Sequence, residues 1–156
     1  MDTPEPPNAH RVWLRMIRLH GRMSVAFSKR LREVDLSIPQ CDVLSTLMDQ
    51  EGVSQQDLAE RLYVTKGNIS GLIDRLANAG LVERRKLKGD RRTHSIYLTP
   101  EGRRLAVTGL AIQRAFVTET LGRLSPEQLA QMDALFQQTS EILKKEESSS
   151  EGNVSE

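Results

Sequence analysis

Aromatic residues make up only 4% of this chain of 156 residues, and cysteine occurs once, at Cys41. The shortage of aromatic rings disfavours an aromatic-rich β-sandwich, so the 38% of hydrophobic residues predict a core of aliphatic side chains between packed helices. With a single cysteine, no disulfide bond can form within the chain.

The sequence also lacks a hydrophobic run long enough to span a bilayer, and residues 1–8 are acidic and proline-rich, without the apolar region of a signal peptide. We expect a soluble cytoplasmic protein that makes no membrane contact and begins with a flexible arm at residues 1–8. The three histidines are scattered, and no metal-binding spacing, phosphate-cradling glycine loop or nucleophile elbow occurs. The sequence therefore predicts no enzyme activity, no metal site and no cofactor.

The formal net charge of +1 conceals a strong local asymmetry. Residues 84–92 contain six basic residues and one acid, Asp90, whereas residues 146–156 contain four acids and no base. A basic block within a balanced chain indicates a localised contact with a polyanion. The acidic segment 146–156 is polar and low in complexity, and we expect it to be a disordered tail.

Residues 54–100 contain two short helical patterns separated by a turn at Tyr63 and Val64, then two short strand patterns joined by the basic block. A helix pair beside a basic hairpin is the winged helix-turn-helix layout, which places a helix in one DNA groove and an arginine in the next. We therefore predict a mainly α-helical fold with a small β-hairpin wing, and a DNA-binding domain over residues 37–99. The apolar stripe of the second helix consists of Ile69, Leu72, Ile73 and Leu76.

In a helix-turn-helix, the N-terminal residues of the second helix face the base edges in the major groove. We predict that these residues are Thr65, Lys66, Gly67, Asn68, Ser70 and Gly71. Asn68 can pair with adenine, and Lys66 can reach a guanine edge or a phosphate. Each glycine costs about 1 kcal/mol relative to alanine within a helix. That cost reflects either a close approach to DNA or a loosely optimised surface helix.

Phosphate contacts are predicted on both sides of these residues. Ser54 and Gln55 open the first helix of the pair, where free backbone amides can hold a phosphate. Arg75 either binds a phosphate or forms an ion pair with Asp74 or Glu83.

The tip of the wing carries Lys88, Asp90, Arg91 and Arg92. An arginine is favoured in a narrow minor groove because the negative potential is enhanced there. Asp90 is acidic, and we interpret it as a carboxylate that orients the guanidinium of Arg92. The alternative is a hairpin whose charges only keep it soluble, but its place beside the helix pair favours DNA contact.

Four groups of residues resemble the MarR family of bacterial transcription regulators. They are Gln55-Gln56-Asp57-Leu58-Ala59-Glu60-Arg61-Leu62, Ile73-Asp74-Arg75-Leu76 with Gly80-Leu81-Val82-Glu83-Arg84, Asp90-Arg91-Arg92, and Leu98-Thr99-Pro100-Glu101-Gly102. A single helix-turn-helix pattern would be weakly specific. This ordered series is much more specific, and with the flanking helices it covers nearly all of residues 9–145.

The resemblance implies a two-fold homodimer whose interface is formed by the N-terminal helix and the last two helices. The helical dimerisation region would then comprise residues 9–36 and 100–145. The family's recognition helix corresponds to residues 65–79, and its wing arginine corresponds to Arg92. Two recognition helices about 34 Å apart would read a palindromic operator on double-stranded DNA. The expected function is that of a repressor at the bacterial nucleoid.

Members of this family often release DNA when a small aromatic or anionic compound binds. Candidate side chains for such an effector pocket, between the first two helices, are Trp13, Met16, His20, Cys41 and Met48. The alternative is that this apolar stripe is simply core. Two other functions stay open, a thiol-redox response through Cys41 and a winged helix that binds proteins. Steep salt dependence would distinguish DNA binding from an apolar protein interface.

Overall fold

The computed structural model describes residues 8–86 and 94–151. Its helices are α1 (Ala9–Leu31), α2 (Ile38–Asp49), α3 (Gln55–Arg61), α4 (Lys66–Asn78), α5 (Pro100–Glu119) and α6 (Pro126–Glu151), and its strands are β1 (Val53–Ser54), β2 (Val82–Lys86) and β3 (His94–Leu98). Short 3-10 turns follow α1 and α5, at Arg32–Val34 and Leu121–Arg123. The predicted fold class, mainly helical with a small β-hairpin, is confirmed.

The three strands form one antiparallel sheet in the order β1-β3-β2. In the hairpin, Val82 lies opposite Leu98 and Arg84 lies opposite Ile96. The short strand β1, which the sequence did not predict, pairs Val53 with Ile96 on the other side of β3. The hairpin is therefore joined along β3 to the residues that begin α3.

The chain divides into two compact units, with the boundary between Arg114 and Ala115, inside α5. In the first unit the largest fully buried side chains are aliphatic, as the low aromatic content predicts. They include Leu31, Leu36, Leu44, Leu47, Leu58, Ile69, Ile73, Leu76 and Ile96. The predicted apolar stripe of α4 belongs to this core, since Leu72 is buried with the other three residues. Burial of this stripe leaves the opposite face of α4 free for contact with a ligand.

Local hydrogen bonds set the start of several helices. Ser37 accepts from the amide of Gln40 at 3.3 Å, and the Gln40 side chain accepts from the amide of Ser37 at 2.9 Å. The same reciprocal pattern joins Ser125 to Gln128 before α6. Such capping boxes satisfy amides that the first helical turn leaves unpaired.

A tight junction joins the end of α4 to the start of α5. Gly80 has φ +71°, and the amide of Leu81 donates to the carbonyl of Leu76 at 2.9 Å, as in a Schellman motif. The hydroxyl of Thr99 donates to the Gly80 carbonyl at 2.6 Å and accepts from the amide of Gly102 at 3.0 Å. A Cβ atom on Gly102 would lie 1.8 Å from the Leu81 carbonyl oxygen, so only glycine fits there.

The predicted disordered tail is wrong for residues 146–151, because α6 continues to Glu151. The Ser148 hydroxyl donates to the Lys144 carbonyl at 2.9 Å, and the Ser149 hydroxyl to the Lys145 carbonyl at 2.8 Å. Once a helix has started, each further residue adds a hydrogen bond at little cost, whereas low complexity only indicates that a segment has no core to join. The predicted arm and the end of the tail, residues 1–7 and 152–156, lie outside the described residues.

Candidate nucleic-acid interface

The two helices of the helix-turn-helix begin at capping residues that the sequence assigned to DNA contact. Ser54 accepts from the amide of Asp57 at 3.0 Å, and its own amide donates to the Asp57 carboxylate at 3.2 Å. The pKa of Asp57 is lowered, mainly by hydrogen bonding with the Ser54 side chain and to a smaller extent by the hydrogen bond from the Ser54 backbone amide. Thr65 accepts from the amide of Asn68 at 3.3 Å. Both hydroxyls keep their proton free to donate to a phosphate.

The predicted base-reading residues lie together on the solvent side of the first two turns of α4. Thr65, Lys66, Gly67 and Asn68 are exposed, while Ser70 and Gly71 are half-buried. The opposite side of the helix is in the core, so these residues form one accessible surface. The structure thus brings this predicted group together.

Neither glycine of α4 is required by neighbouring protein atoms. Among the described residues, a Cβ on Gly67 would meet nothing within 4 Å, and one on Gly71 would meet only the Arg75 guanidinium, at 3.6 Å. Both glycines line an open groove of about 310 Å³ between Pro39 of α2 and the exposed side of α4. The groove keeps the α4 backbone accessible to a bulky ligand.

Arg84 connects the three elements of the DNA-binding segment. From β2, its Nε donates to the side-chain carbonyl of Gln55 on α3 at 2.9 Å. Its Nη2 donates to the carboxylate of Asp74 on α4 at 2.5 Å. The Arg84 side chain is 28% exposed but its partner Asp74 is 57% exposed, so the ion pair is open to solvent on the Asp74 side. Arg84 therefore fixes the position of α4 relative to α3.

This role of Arg84 was not predicted from the sequence, where Arg84 belongs to the basic block of residues 84–92. A signal was present, since Arg84 is two residues from Val82 and therefore shares its inward face on β2. The bridge also revises the role of Gln55, because its side-chain carbonyl points to Arg84 and only its backbone amide and side-chain NH₂ are left for a phosphate.

The predicted ion pairs of Arg75 do not form. Asp74 is paired with Arg84, and Glu83 is paired with Arg85, whose Nε lies 2.8 Å from the Glu83 carboxylate. Arg75 is exposed one turn beyond Gly71, on the wall of the groove. Its position suits a phosphate contact.

The wing residues Lys88, Asp90, Arg91 and Arg92 lie outside the described residues. The described part of the hairpin ends at the pairing of Lys86 with His94. Arg85, which precedes Lys86 on β2, stacks its guanidinium over Tyr97, with the guanidinium carbon 4.1 Å from the ring centroid.

The five candidate effector residues are not brought into one open cavity. Trp13, Met16 and His20 are exposed on α1, and Trp13 stacks against His10 with ring centroids 6.1 Å apart. Met48 is half-buried, and its sulfur accepts from Arg103 at 3.7 Å. Cys41 lies in the core with 1% of its surface exposed, so it does not line an open cleft.

The surroundings of Cys41 oppose a sensing role. Burial raises the pKa of its thiol, and this outweighs the lowering effect of the hydrogen bond between the thiol and Ser45. The thiolate is the reactive form, so a raised pKa makes the sulfur less nucleophilic. A Cβ on Gly109 of α5 would lie 2.9 Å from the sulfur, which leaves little room there for an added oxygen.

Residues 8–86 and 94–151 contain no helix long and apolar enough to cross a membrane, and no group of three metal-ligating side chains placed to hold an ion.

Comparison with known proteins agrees with this geometry. A model of the MarR family matches residues 34–93. An uncharacterized HTH-type transcriptional regulator of Bacillus cereus is 32% identical over 136 residues, which are 87% of this chain and 78% of the relative. The chain belongs to the MarR family. It is thus a DNA-binding transcription regulator of the winged helix-turn-helix type and not an enzyme, as the sequence predicts.

Two solved MarR-family structures show how far the similarity extends. The S. aureus MepR–DNA complex is 25% identical, with a TM-score of 0.78 over 87% of this chain and 99% of MepR. CouR from Rhodococcus jostii RHA1, bound to p-coumaroyl-CoA, is 28% identical, with a TM-score of 0.74 over 85% of this chain and 94% of CouR.

If Arg84 positions α4 in this MarR-family chain, removing either end of its bridge should weaken DNA binding. We expect Arg84→Ala and Asp74→Ala each to lower the free energy of unfolding by about 1 kcal/mol and to lower DNA affinity severalfold. Asp74→Ala is the sharper test, because loss of an acid beside a polyanion would otherwise raise affinity. Thermal melts and DNA titrations measure both effects.

The matched control is Arg104→Ala, which removes an exposed ion pair with Glu101 on α5. Surface pairs of this kind contribute little to stability. Stronger DNA binding by Asp74→Ala would show that the bridge does not position the helix.

Proposed function

We propose that this MarR-family chain is a homodimeric repressor that binds a palindromic operator and releases it when a small aromatic or anionic effector binds. The observation that carries the proposal is the exposed N-terminal surface of α4, held in place by the buried stripe behind it and by Arg84. One such helix reads only a few base pairs, so two copies related by a two-fold axis are needed to select a genomic site.

The proposed DNA contacts fall into two classes. Base edges are read by the first turns of α4, with Asn68 on adenine and Lys66 on guanine or a phosphate. Phosphates and the minor groove are held by the remaining predicted residues, which are Ser54, Gln55, Thr65, Ser70, Arg75, Lys88, Arg91 and Arg92, while Asp90 orients the guanidinium of Arg92. These contacts set the register, and the basic ones among them make binding dependent on salt.

Selection of bound fragments from genomic DNA tests the proposal directly. We expect recovery of a palindrome with half-sites one helical turn apart, bound with an affinity that falls steeply as salt increases. The alternative function, a winged helix that binds proteins through an apolar surface, would give no enriched palindrome and little salt dependence.

The two glycines of α4 provide a second test. Gly67→Ala and Gly71→Ala should each increase the free energy of unfolding by up to about 1 kcal/mol, because alanine favours the helix and meets no close contact. If the DNA backbone approaches α4 closely, the same changes should reduce operator affinity. Because both variants should be more stable than the unchanged protein, a loss of affinity could not be attributed to misfolding. Unchanged affinity in both variants would mean that the glycines belong to a loosely optimised surface helix.

Dimerisation is supported by apolar side chains that no described part of the single chain covers. On α1, Trp13, Met16 and Ile17 are each more than two-fifths exposed. On α6, Leu135, Phe136, Ile142 and Leu143 are each at least half exposed. Exposed apolar surface on this scale is typical of protein interfaces, and we propose that a second copy covers both helices.

Phe136→Asp should therefore convert the dimer to monomers at micromolar concentration, because a desolvated carboxylate in an apolar interface is costly. The matched control is Ala134→Asp, which places the same charge at an exposed position on the opposite face of α6. Analytical ultracentrifugation measures the oligomeric state. A dimer that survives Phe136→Asp would remove α6 from the interface.

The proposed effector is aromatic or anionic, in line with the p-coumaroyl-CoA bound by CouR. The α1 helix supports an anion, since Ala9–Leu31 contains six Lys and Arg residues and no acid. The proposed contacts remain Trp13, Met16, His20 and Met48. Since the single chain does not bring them into one cavity, we propose that the second copy completes the site. Near-complete release requires about 5.5 kcal/mol of preference for the non-binding state. We expect titration of the protein–operator complex with aromatic acids and their CoA thioesters to displace the DNA, and no displacement by any of them would count against this class of effector.

A further inference from the structure

Tyr63 lies between the two helices of the helix-turn-helix in a conformation that a tyrosine rarely adopts. Its φ is +52°, in the left-handed region, and its side chain is 95% exposed. A non-glycine residue there is strained, and such strain often occurs where a residue has a function. The exposed ring adds nothing to the core that would offset this strain.

The same chain shows what the turn requires for folding alone. The amides of Tyr63 and Val64 donate to the carbonyls of Glu60 and Ala59 at 3.3 and 3.0 Å, which is the Schellman pattern. In two other Schellman motifs of the described residues, the equivalent positions are Gly80 and Asp35, residue types that tolerate this conformation better than tyrosine does. Tyr63 therefore stands where folding would select glycine, and its side chain needs another explanation.

The position of Tyr63 indicates what the phenol contacts. It lies two residues before Thr65, which caps α4, and it shares the wall of an open depression of about 440 Å³ with Lys66. The amide end of α4 and Lys66 make this surface attractive to phosphate. The carboxylate of Glu60, on another wall, accepts from Gln56 at 3.3 Å and disfavours a free anion inside the depression. The phenol, on a side chain that is 95% exposed, is accessible to a DNA strand outside the depression.

We infer that the Tyr63 hydroxyl donates a hydrogen bond to a DNA phosphate beside the groove that α4 enters, and so fixes how far this helix is inserted. The inference rests on the proposed operator binding and adds a contact that sequence analysis did not include. Tyrosine is among the side chains that position proteins on the phosphate backbone. Because the phenol is neutral, its contact strengthens binding without releasing a counterion.

The test uses the full-length protein and the operator duplex recovered by genomic selection. Tyr63→Phe removes only the hydroxyl and should lower affinity about tenfold for each subunit of the proposed dimer, as for a hydrogen bond to a charged group. The slope of log affinity against log salt should stay unchanged. Lys66→Ala, the matched comparison, should lower affinity and also reduce that slope by about two, which is about one for each subunit.

Tyr63→Gly separates function from folding. It should bind the operator at least as weakly as Tyr63→Phe, while its melting temperature equals or exceeds that of the unchanged protein. A neutral methylphosphonate placed at single positions of the operator locates the contact. At the position that Tyr63 contacts, the substitution should weaken the unchanged protein but not Tyr63→Phe.

The inference would be overturned if Tyr63→Phe bound the operator as tightly as the unchanged protein. It would also be overturned if the slope of log affinity against log salt were smaller for Tyr63→Phe than for the unchanged protein. A lower melting temperature for Tyr63→Gly would also overturn it, since the ring would then serve the fold. Failure of the unchanged protein to bind any recovered duplex would instead overturn the proposed function.

Discussion

The orientation of α4 depends on one close backbone crossing, at which the first turn of α5 lies against Leu81, between α4 and β2. Gly102 can sit there only because it has no Cβ, and the Thr99 hydroxyl uses both its donor and its acceptor capacity to hold the two segments together. This contact fixes the C-terminal end of α4, and Arg84 fixes the helix further along. The N-terminal turns of α4 are held by the burial of Ile69 and Leu72 on one side, and their other side faces solvent.

The residues of the helix-turn-helix therefore fall into two groups, those that fix the position of α4 and those that are proposed to contact DNA. Side chains that point inward, such as Ile69 and Ile73, are fully buried and define the axis of α4. The reading surface instead contains features that weaken a helix or a turn, namely Gly67, Gly71 and a left-handed Tyr63. Rules of local stability are broken on this one surface and kept on the opposite one, which is the pattern that a functional surface produces.

Features encoded by neighbouring residues could be predicted from the sequence. The cap at Thr65, the apolar stripe of α4 and the hairpin depend on spacings of two to four residues, and all of them are present. The bridge from Arg84 to Gln55 joins residues 29 apart, and β1 exists only because β3 lies beside it. Such contacts follow from the fold and not from a local pattern. Disorder was predicted for residues 146–151 because their polar composition indicates that they are not buried. An exposed segment can still be helical, and α6 continues through these residues.

The same crossing limits how a signal can reach DNA. Because Thr99, which immediately precedes α5, is hydrogen-bonded to Gly80, a change in the direction of the first turns of α5 displaces the end of α4 through this contact. Glu51 strengthens the connection, since its carboxylate accepts both from Arg103 on α5 at 2.8 Å and from the Leu98 amide at the end of β3 at 2.9 Å. In the proposed dimer, a shift of α5 would therefore move α4 and the hairpin together. Two half-sites would have to be matched at once, so such a shift would disfavour operator binding without unfolding any element.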